Sequence, residues 1–375
     1  MSVALRTCRP DEVFALLPEA LAGRFAIAPV ADAASAALYA GVDRVDVPGA
    51  AVVVATSGST GTPKAVILTT DALLASARAT QERLGGPATW HLALPAHYVA
   101  GLMVLVRARV SGLEPRFAAS DLADLAPASG RNVVSIVPTQ LVRALDDPFV
   151  TASLASMDAV LLGGAAADPV LLSRARDAGV NVVTTYGMSE TCGGCVYDGV
   201  PLDGVVVSVG HGGRVWLGGA SVFSGYLARP DLTASTLVPD PTGTHAGLGV
   251  LTHDRGRLDG GHLTVLGRTD EVVISGGTNV DLAEVQRAVD AIVTAHGLGA
   301  SAVVGVPDAE WGAVVTLASE SPTRDLTWWR DHLPLGRPAL PRRAVGVGRL
   351  PRTSSGKIDR TELARYLGSL HGDVV

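Results

Sequence analysis

The residues best suited to chemistry lie near the N-terminus, in the segment TSGSTGTPKAV at positions 56–66. The backbone N–H groups and hydroxyls of such a loop can surround phosphate oxygens, and Lys64 adds a positive charge. The segment is not a Walker A loop, because Pro63 and Lys64 lead into an apolar run that predicts a strand rather than a helix. A plain Ser/Thr/Gly turn is the alternative. The predicted phosphate-binding residues are Thr56, Ser57, Gly58, Ser59, Thr60, Gly61, Thr62 and Lys64.

A second segment with chemical potential is YGMSET at positions 186–191, directly after an apolar run. We expect a loop at the C-terminal end of a parallel strand, which is where α/β sheets bind ligands. Glu190 can hold Mg²⁺ against phosphate oxygens, because this ion takes few carboxylates besides phosphate and water. Tyr186 can stack on a base and Ser189 can donate to a phosphate. The alternative is an ordinary solvent-facing turn.

Four further segments carry polar or small residues at positions that suit a nucleotide. Gly163–Ala165 follows a predicted strand, and small residues let a backbone approach a flat ligand closely. Asp254 can accept hydrogen bonds from both ribose hydroxyls, although a tight Asp-Arg-Gly turn explains it equally well. Arg268 can reach ribose or phosphate, or form a surface salt bridge. Lys357 lies in PRTSSGKIDR at 351–360, a loop before the last predicted helix, where a solvated lysine is the alternative.

The elements that must position these residues alternate between strand and helix. Residues 1–50 predict a short helical lead-in, and Asp71 is expected to cap the helix that follows the first loop. Predicted buried strands cover 90–94, 133–137, 159–162 and 180–184, with helices at 139–145 and 169–178. This alternation predicts an α/β layered domain with helices against a largely parallel sheet.

The second half of the chain changes character twice. Dense glycines and short strands between 205 and 266 predict a small antiparallel β subdomain. Beyond 270, Asp281 and Glu284 suggest a helix cap, and Leu282, Val285, Val289 and Ile292 form an apolar stripe. Strands at 302–306 and 313–317 and helices at 327–333 and 360–367 complete a compact α+β unit. We therefore predict two domains, 1–269 and 270–375.

Composition narrows the class of protein. The 375 residues are 47% apolar, enough to fill two cores, and the net charge is −6. No basic run interleaved with aromatics is present, which argues against nucleic-acid binding. We expect no signal peptide and no membrane span, because charges interrupt the apolar runs. Three cysteines indicate a reducing, cytoplasmic setting. The Cys192–Cys195 spacing lacks a second pair, so we expect no metal site there.

Together and in this order, these segments resemble the acyl-adenylate-forming family of acyl-CoA synthetases, nonribosomal adenylation domains and luciferases. The resemblance covers roughly residues 52–360 and is most specific at 56–64 and 351–357. It implies ATP, Mg²⁺ and coenzyme A as cofactor and co-substrates. It also implies a large N-terminal domain and a small C-terminal lid that swings about a hinge at Asp270.

The resemblance implies roles for individual residues. Lys357 would reach in from the lid to bridge the substrate carboxylate and the α-phosphate of ATP, with Glu190 and Ser189 as further catalytic residues. Asp254 would bind the ribose, and Arg268 would reach ribose or phosphate. The residues against adenine would be Gly163, Gly164, Ala165, Tyr186, Gly187 and Met188. The hinge and the coenzyme A channel would be formed by Asp270, Gly276 and Gly277.

Within the family, only 55 residues precede Thr56, and this short form resembles the o-succinylbenzoate–CoA ligases of menaquinone biosynthesis. The segments at 94–102 and 137–143 resemble the same branch. The expected substrate is an aromatic dicarboxylic acid, with His97, Thr139 and Arg143 in its pocket and a homodimer left open. The alternatives are a ligase for another aryl or short acyl acid, an enzyme loading a carrier protein, and an NTPase that releases ADP and phosphate.

Overall fold

The computed structural model describes residues 2–56, 63–353 and 358–370. The chain divides into two compact units, which are taken one at a time below. The first comprises Met1–His211, Val215–Thr252 and Leu258–Thr264, and the second comprises Gly212–Arg214, His253–Arg257 and Val265–Val375. The predicted boundary between 269 and 270 remains a prediction.

The strands of the described residues are β1 Val3–Cys8, β2 Ala26–Pro29, β3 Arg44–Val45, β4 Ala50–Thr56, β5 Lys64–Thr69, β6 Thr89–Leu92, β7 Arg116–Phe117, β8 Asn132–Ile136, β9 Ala159–Leu162, β10 Val182–Met188, β11 Gly193–Tyr197, β12 Val200–Pro201, β13 Val205–Val209, β14 Arg214–Gly219, β15 Gly225–Tyr226, β16 Leu237–Pro239, β17 Leu248–Asp259, β18 His262–Arg268, β19 Val272–Ser275, β20 Thr278–Asp281, β21 Ser301–Asp308, β22 Gly312–Ser319 and β23 Arg343–Gly346. The α-helices are α1 Val13–Leu21, α2 Ala33–Ala37, α3 Thr70–Arg83, α4 Val99–Ser111, α5 Pro138–Ala144, α6 Pro148–Ala155, α7 Pro169–Asp177, α8 Pro230–Thr236, α9 Leu282–His296, α10 Leu326–His332 and α11 Arg360–Ser369.

The largest sheet of the first unit has seven strands in the order β12-β11-β10-β9-β8-β6-β7. Strands β10, β9, β8, β6 and β7 are parallel to their neighbours, whereas β11 and β12 run antiparallel. The residues of β6, β8 and β9 are all buried, as expected of strands covered by helices on both faces. The predicted largely parallel sheet, and the α/β fold class with it, is confirmed.

A second, mixed sheet has the order β15-β5-β4-β2-β1-β3. Strands β4 and β5 form an antiparallel hairpin, and β1 and β2 pair in parallel. The expectation that residues 1–50 form only a helical lead-in is therefore wrong. Short strands on either side of α1 complete this sheet, and Ala26 and Ile27 are fully buried in it.

The start of α3 also differs from the prediction. Thr69, not Asp71, is the N-cap residue, and its hydroxyl accepts a hydrogen bond from the N–H of Ala72 at 3.3 Å. Asp71 lies in the first turn, where its charge complements the helix dipole.

The predicted antiparallel β subdomain is formed by β13, β14, β17 and β16, with β18 paired to β17. Trp216 on β14 is fully buried, and its indole N–H donates to the carbonyl of Val238 at 3.0 Å. A buried indole needs such a partner, so the bond fixes how β16 and β14 are placed.

The second unit contains a five-stranded sheet with the order β20-β19-β22-β21 and β23 paired to β22. Asp281 caps α9 by accepting a hydrogen bond from the N–H of Ala283 at 2.9 Å. The four residues of the predicted apolar stripe of α9 are all buried, as the helical period requires. Among the residues described, no helix is both long and apolar enough to cross a membrane.

Candidate active site

The carboxyl ends of three neighbouring parallel strands, β6, β8 and β9, bring three of the predicted binding segments of the first unit together. The segments that contain His97, Thr139 and Gly163 follow β6, β8 and β9 respectively. Hydrogen bonds join these segments: the amide of Gln140 donates to the carbonyl of Ala93 at 3.0 Å, and the N–H of Gly163 donates to that of Ile136 at 3.2 Å. This edge is where ligands bind in open α/β sheets.

The β4–β5 hairpin carries the ends of the predicted phosphate-binding loop. Thr56 and Lys64 are paired positions on its two strands. Both are therefore strand residues, rather than part of a free loop. The six predicted phosphate-binding residues between them, Ser57, Gly58, Ser59, Thr60, Gly61 and Thr62, lie outside the described residues.

Lys64 lies in a cluster with Glu190 and Tyr226, which we call the Lys64 cluster. The ammonium Nζ of Lys64 is 2.8 Å from Oε1 of Glu190 and donates to the hydroxyl of Tyr226 at 2.9 Å. The same hydroxyl donates to Glu190 Oε1 at 2.6 Å, a short charge-assisted bond. The Glu190 side chain is only 8% exposed, so this carboxylate requires the partners it has.

The electrostatics of the cluster follow from burial. The pKa of Tyr226 is raised far above its usual value, first by burial and then by the adjacent Glu190 charge, so the phenol stays protonated. A protonated phenol is a donor to Glu190 and an acceptor for Lys64. A carboxylate is a group that Mg²⁺ accepts beside phosphate oxygens, and an ammonium is a partner for phosphate, so the chemistry of the cluster fits the expectation. Glu190 as the metal ligand stays a prediction.

A 3₁₀ turn at Ser189–Thr191 aims Glu190 at this cluster. The hydroxyl of Thr191 accepts from the N–H of Met188 at 3.0 Å and donates to the carbonyl of Gly193 at 2.8 Å. The carbonyl of Glu190 itself accepts from the N–H of Phe223 at 2.9 Å. These bonds fix the backbone on both sides of the carboxylate.

The prediction of a loop beginning at residue 186 is wrong. Tyr186, Gly187 and Met188 belong to β10 and pair with β11, with a register shift between Tyr186 and Gly187. Tyr186 and Met188 pack against an apolar cluster that includes Val196. The pattern Val-Val-Thr-Thr-Tyr continues the strand, because β-branched and aromatic residues favour it.

Two glycines at this edge permit close backbone approach. A Cβ on Gly163 would lie 2.3 Å from the hydroxyl oxygen of Thr185, and a Cβ on Gly187 would lie 2.1 Å from the carbonyl oxygen of Gly193. Gly164 has φ +84°, which a side chain would strain, and Ala165 follows it. The small residues are thus required by the protein itself. Contact with adenine stays a prediction.

The predicted acyl-pocket residues differ in environment. His97 is half-buried, and its Nδ1 is buried with no hydrogen-bond partner among the described residues. Burial lowers the pKa of His97, against a smaller opposing effect of Asp32, so the ring is neutral near pH 7. Thr139 and Arg143 lie on α5 and are exposed.

The second unit holds its own charged group, the Arg268 cluster, formed by Arg268, Asp254 and Asp270. The guanidinium donates to both carboxylate oxygens of Asp270 at 2.8 Å and to Oδ1 of Asp254 at 3.2 Å. Burial raises the pKa of Asp270, but the hydrogen bond and charge of Arg268 outweigh it and the net pKa is lowered. Asp254 is buried. Arg268 therefore joins the predicted ribose and hinge residues within one ion-pair network.

The predicted coenzyme A glycines form a tight turn of the second unit. Gly276 and Gly277 connect β19 to β20 with φ +58° and +77°, as a type I′ hairpin turn requires. A Cβ on Gly276 would lie 2.6 Å from the ring of Trp311. That ring is covered by the guanidinium of Arg342, 3.3 Å from its centroid. Lys357 lies outside the described residues.

Sequence reasoning missed three residues that organise these sites. Tyr226 is 162 residues away from Lys64 along the chain, so no local motif links them. Gln140 ties α5 to the end of β6, and Trp311 supports the glycine turn. A signal existed for Tyr226 alone: a tyrosine in a short apolar segment needs a partner for its hydroxyl.

Comparison with known proteins gives the family. A profile described as AMP-binding enzyme matches residues 32–210. The chain is 43% identical over 334 residues, 84% of each chain, to a protein of Mycobacterium tuberculosis named "Probable 2-succinylbenzoate--CoA ligase". It is 32% identical to the 2-succinylbenzoate–CoA ligase of Enterococcus faecalis, over 84% of this chain and 69% of the other.

A solved structure agrees with these relatives. The o-succinylbenzoate coenzyme A synthetase of Bacillus subtilis, in complex with ATP and a magnesium ion, superposes with a TM-score of 0.69 at 25% identity. The match covers 86% of this chain and 71% of that one. On the sequence identity to its relatives and on this shared fold, the chain belongs to the AMP-binding enzyme family.

Proposed function

We propose that the protein is an ATP-dependent 2-succinylbenzoate–CoA ligase that works through an acyl-AMP. The observation that carries the proposal is the 43% identity over 84% of both chains to the Mycobacterium tuberculosis relative. The Lys64 cluster at the sheet edge supports it, because it supplies the cation and the carboxylate that such chemistry needs. The reaction would take place in the cytoplasm as a step of menaquinone biosynthesis.

The first chemical problem is that two anions must react. The substrate carboxylate attacks the α-phosphate of ATP, so their repulsion must be neutralised and the groups held in line. Lys64 lies on β5 next to the β4–β5 connection, and in this proposal it would offer its ammonium to the β- and γ-phosphates. Glu190 would hold Mg²⁺, which when bound neutralises phosphate charge and favours pyrophosphate as the leaving group.

The proposal assigns a set of residues to the nucleoside. Gly163, Gly164, Ala165 and Tyr186 would line the adenine, as the close-packed edge of β9 and β10 permits. In the second unit, Asp254 would accept from the ribose hydroxyls. Arg268 orients that carboxylate through the bond between them. Ser189, Gly187 and Met188 complete the predicted set.

The acid would lie beside His97 and Thr139. A neutral His97, whose buried Nδ1 has no hydrogen-bond partner in the part of the chain that the structure describes, suits an aromatic substrate that carries a second carboxylate, because the ring can pack and still offer a polar atom. Arg143 is the further candidate for that carboxylate, and its exposure leaves its guanidinium accessible.

The thioester step would use the second domain, 270–375, as a mobile lid. In this proposal Lys357 bridges the carboxylate and the α-phosphate during adenylation. The lid then turns about Asp270 and presents the Gly276–Gly277 turn to coenzyme A, whose thiolate displaces AMP. The turn has open space at Gly277, where no atom lies within 4 Å of a virtual Cβ.

The test is incubation with ATP, Mg²⁺, coenzyme A and single acids, with the thioester identified by mass. We expect 2-succinylbenzoyl-CoA, AMP and pyrophosphate. Full activity with benzoate or a fatty acid and none with 2-succinylbenzoate would overturn the choice of substrate. ADP and phosphate as products would overturn the reaction class.

A further inference from the structure

The Lys64 cluster contains one group whose placement does not depend on Lys64. Strand β15 pairs with β5, with Tyr226 opposite Val66 and Gly225 opposite Ile67. The N–H of Tyr226 donates to the hydroxyl of Thr233 at 2.9 Å, and its ring packs edge-on against Phe223, 4.8 Å between centroids. Backbone pairing and burial thus hold the phenol, whatever Lys64 contacts.

Glu190 is anchored to the same segment of chain. Its carbonyl accepts from the N–H of Phe223 at 2.9 Å, three residues before Tyr226. The carboxylate and the phenol that donates to it at 2.6 Å are therefore set at a fixed separation by the backbone. Their bond is a property of the folded first unit.

Lys64 differs from both, because its ammonium is at the end of a flexible chain of four carbons. The side chain is 23% exposed and makes its contacts here only with Tyr226 and Glu190 among the described residues. An ammonium is a point charge that can change partners by rotation about its side-chain bonds. The ammonium of Lys64 balances the charge of the Glu190 carboxylate, whose side chain is 8% exposed.

We propose that Tyr226 is the positioning residue of this site, holding the Glu190 carboxylate in place while Lys64 is exchanged for a divalent cation. This inference rests on the proposed function. When a nucleoside triphosphate binds, its phosphates compete with Glu190 and Tyr226 for the ammonium of Lys64. Glu190 then needs another cation, and the hydroxyl of Tyr226 keeps its carboxylate oriented to receive one.

The test measures Mn²⁺, used in place of Mg²⁺, by electron paramagnetic resonance and by calorimetry. The affinity for ATP is measured with Mn²⁺ and again with EDTA, in wild type, Tyr226→Phe and Tyr197→Phe. The ratio of the two affinities is the gain that Mn²⁺ gives, and this gain is compared among the three proteins. Tyr197 is the matched control, because its buried hydroxyl bonds to Thr80 and Arg107 in the same apolar core. We expect Tyr226→Phe to reduce the gain by about 10–100-fold and to broaden the bound Mn²⁺ signal.

Lys64→Met supplies the second arm, without nucleotide. We expect this variant to bind Mn²⁺ more tightly than wild type, because the carboxylate has lost the ammonium that occupies it. An unchanged gain in Tyr226→Phe, an equal loss in Tyr197→Phe, or no change in Lys64→Met would each overturn the inference. Failure of the proposed function is read separately, as no thioester from 2-succinylbenzoate in a wild type that binds Mn²⁺ and ATP normally.

Discussion

The Lys64 cluster and the Arg268 cluster both join a cation to carboxylates, but they differ in the geometry of the contacts. In the first unit, a lysine contacts a single buried carboxylate directly, and one phenol bonds to both groups. In the second unit, an arginine with a 35% exposed side chain grips Asp270 with two parallel bonds and reaches Asp254 with a third. A guanidinium holds a carboxylate in a fixed geometry through two parallel bonds, whereas an ammonium can exchange one partner for another.

The difference indicates separate tasks. A cluster with one mobile cation is suited to take up and release phosphate and metal. In the second unit, the bidentate arginine holds the side chain of Asp270, and its third bond orients the carboxylate of Asp254. Adenylation requires both properties, since charge must move at the phosphates while the ribose stays in place.

The largest expected effect comes from a change in the Lys64 cluster. Lys64→Met removes the charge and keeps most of the side-chain volume. We expect pyrophosphate release that depends on the acid to fall about 10²–10³-fold, because charge stabilisation at the phosphates is lost. The free energy of unfolding should fall as well, because the Glu190 carboxylate, whose side chain is 8% exposed, loses the ammonium that balances its charge. Arg24→Met, which removes an exposed cation paired with Glu19, is the control, and equal activity in the two variants would refute the assignment.

The next effect tests how rigid the second unit is. Gly276→Ala places a methyl group against Trp311 and strains a backbone with φ +58°, whereas Gly297→Ala has φ +60° and open space. In both variants the left-handed backbone lowers the free energy of unfolding by about 1–2 kcal/mol. We expect Gly276→Ala to lose about 1–3 kcal/mol more in denaturant unfolding, because the Trp311 ring must shift. Equal losses would show that the ring gives way freely.

A smaller effect is expected from a change in the Arg268 cluster. Arg268→Lys keeps the charge but cannot form the two parallel bonds to Asp270. We expect a loss of about 1 kcal/mol or less in unfolding free energy, since the pair is partly exposed. The affinity for ATP should fall as well, because Asp254 loses its orienting partner. A variant equal to wild type in both measurements would mean that the fork has no positioning role.

The smallest effect concerns acid. Because the pKa of folded Asp270 is lowered, its contribution to stability is present above the ordinary value of 3.8 and is lost as pH falls through the folded value. The difference in unfolding free energy between wild type and Asp270→Asn should be constant from pH 7 to 5 and shrink below pH 4. A difference that grows as pH falls would have the wrong sign.

Much of the scaffold could be predicted from local patterns. The strand at 159–162 has the predicted bounds, and the strands at 132–136 and 89–92 lie within two residues of theirs, because apolar runs bounded by polar segments define them. The cap at Asp71 failed because Thr69 is equally good capping chemistry two residues earlier. Strands β1 and β2 were missed because short segments such as AIAP carry no clear period.

The site could be predicted only in part, for a related reason. Glu190, Lys64 and Asp254 stand out by type and neighbours, but what they touch is set by pairing between distant strands. Tyr226 reaches Lys64 because β15 adds to β5, and nothing near residue 64 foretells that pairing. Arg268 was predicted either as a ligand-binding cation or as part of a salt bridge, and the folded chain shows its ion pairs with Asp254 and Asp270.

The central claim is that this chain joins a carboxylate to the α-phosphate of ATP. The most direct measurement is incubation of wild type with ATP, Mg²⁺ and 2-succinylbenzoate without coenzyme A, followed by mass analysis, with Lys357→Ala in parallel. We predict equal amounts of pyrophosphate and 2-succinylbenzoyl adenylate from wild type, and a large loss of both in the variant, which should still convert supplied adenylate to thioester. Release of ADP and phosphate, or products independent of the acid, would contradict the account.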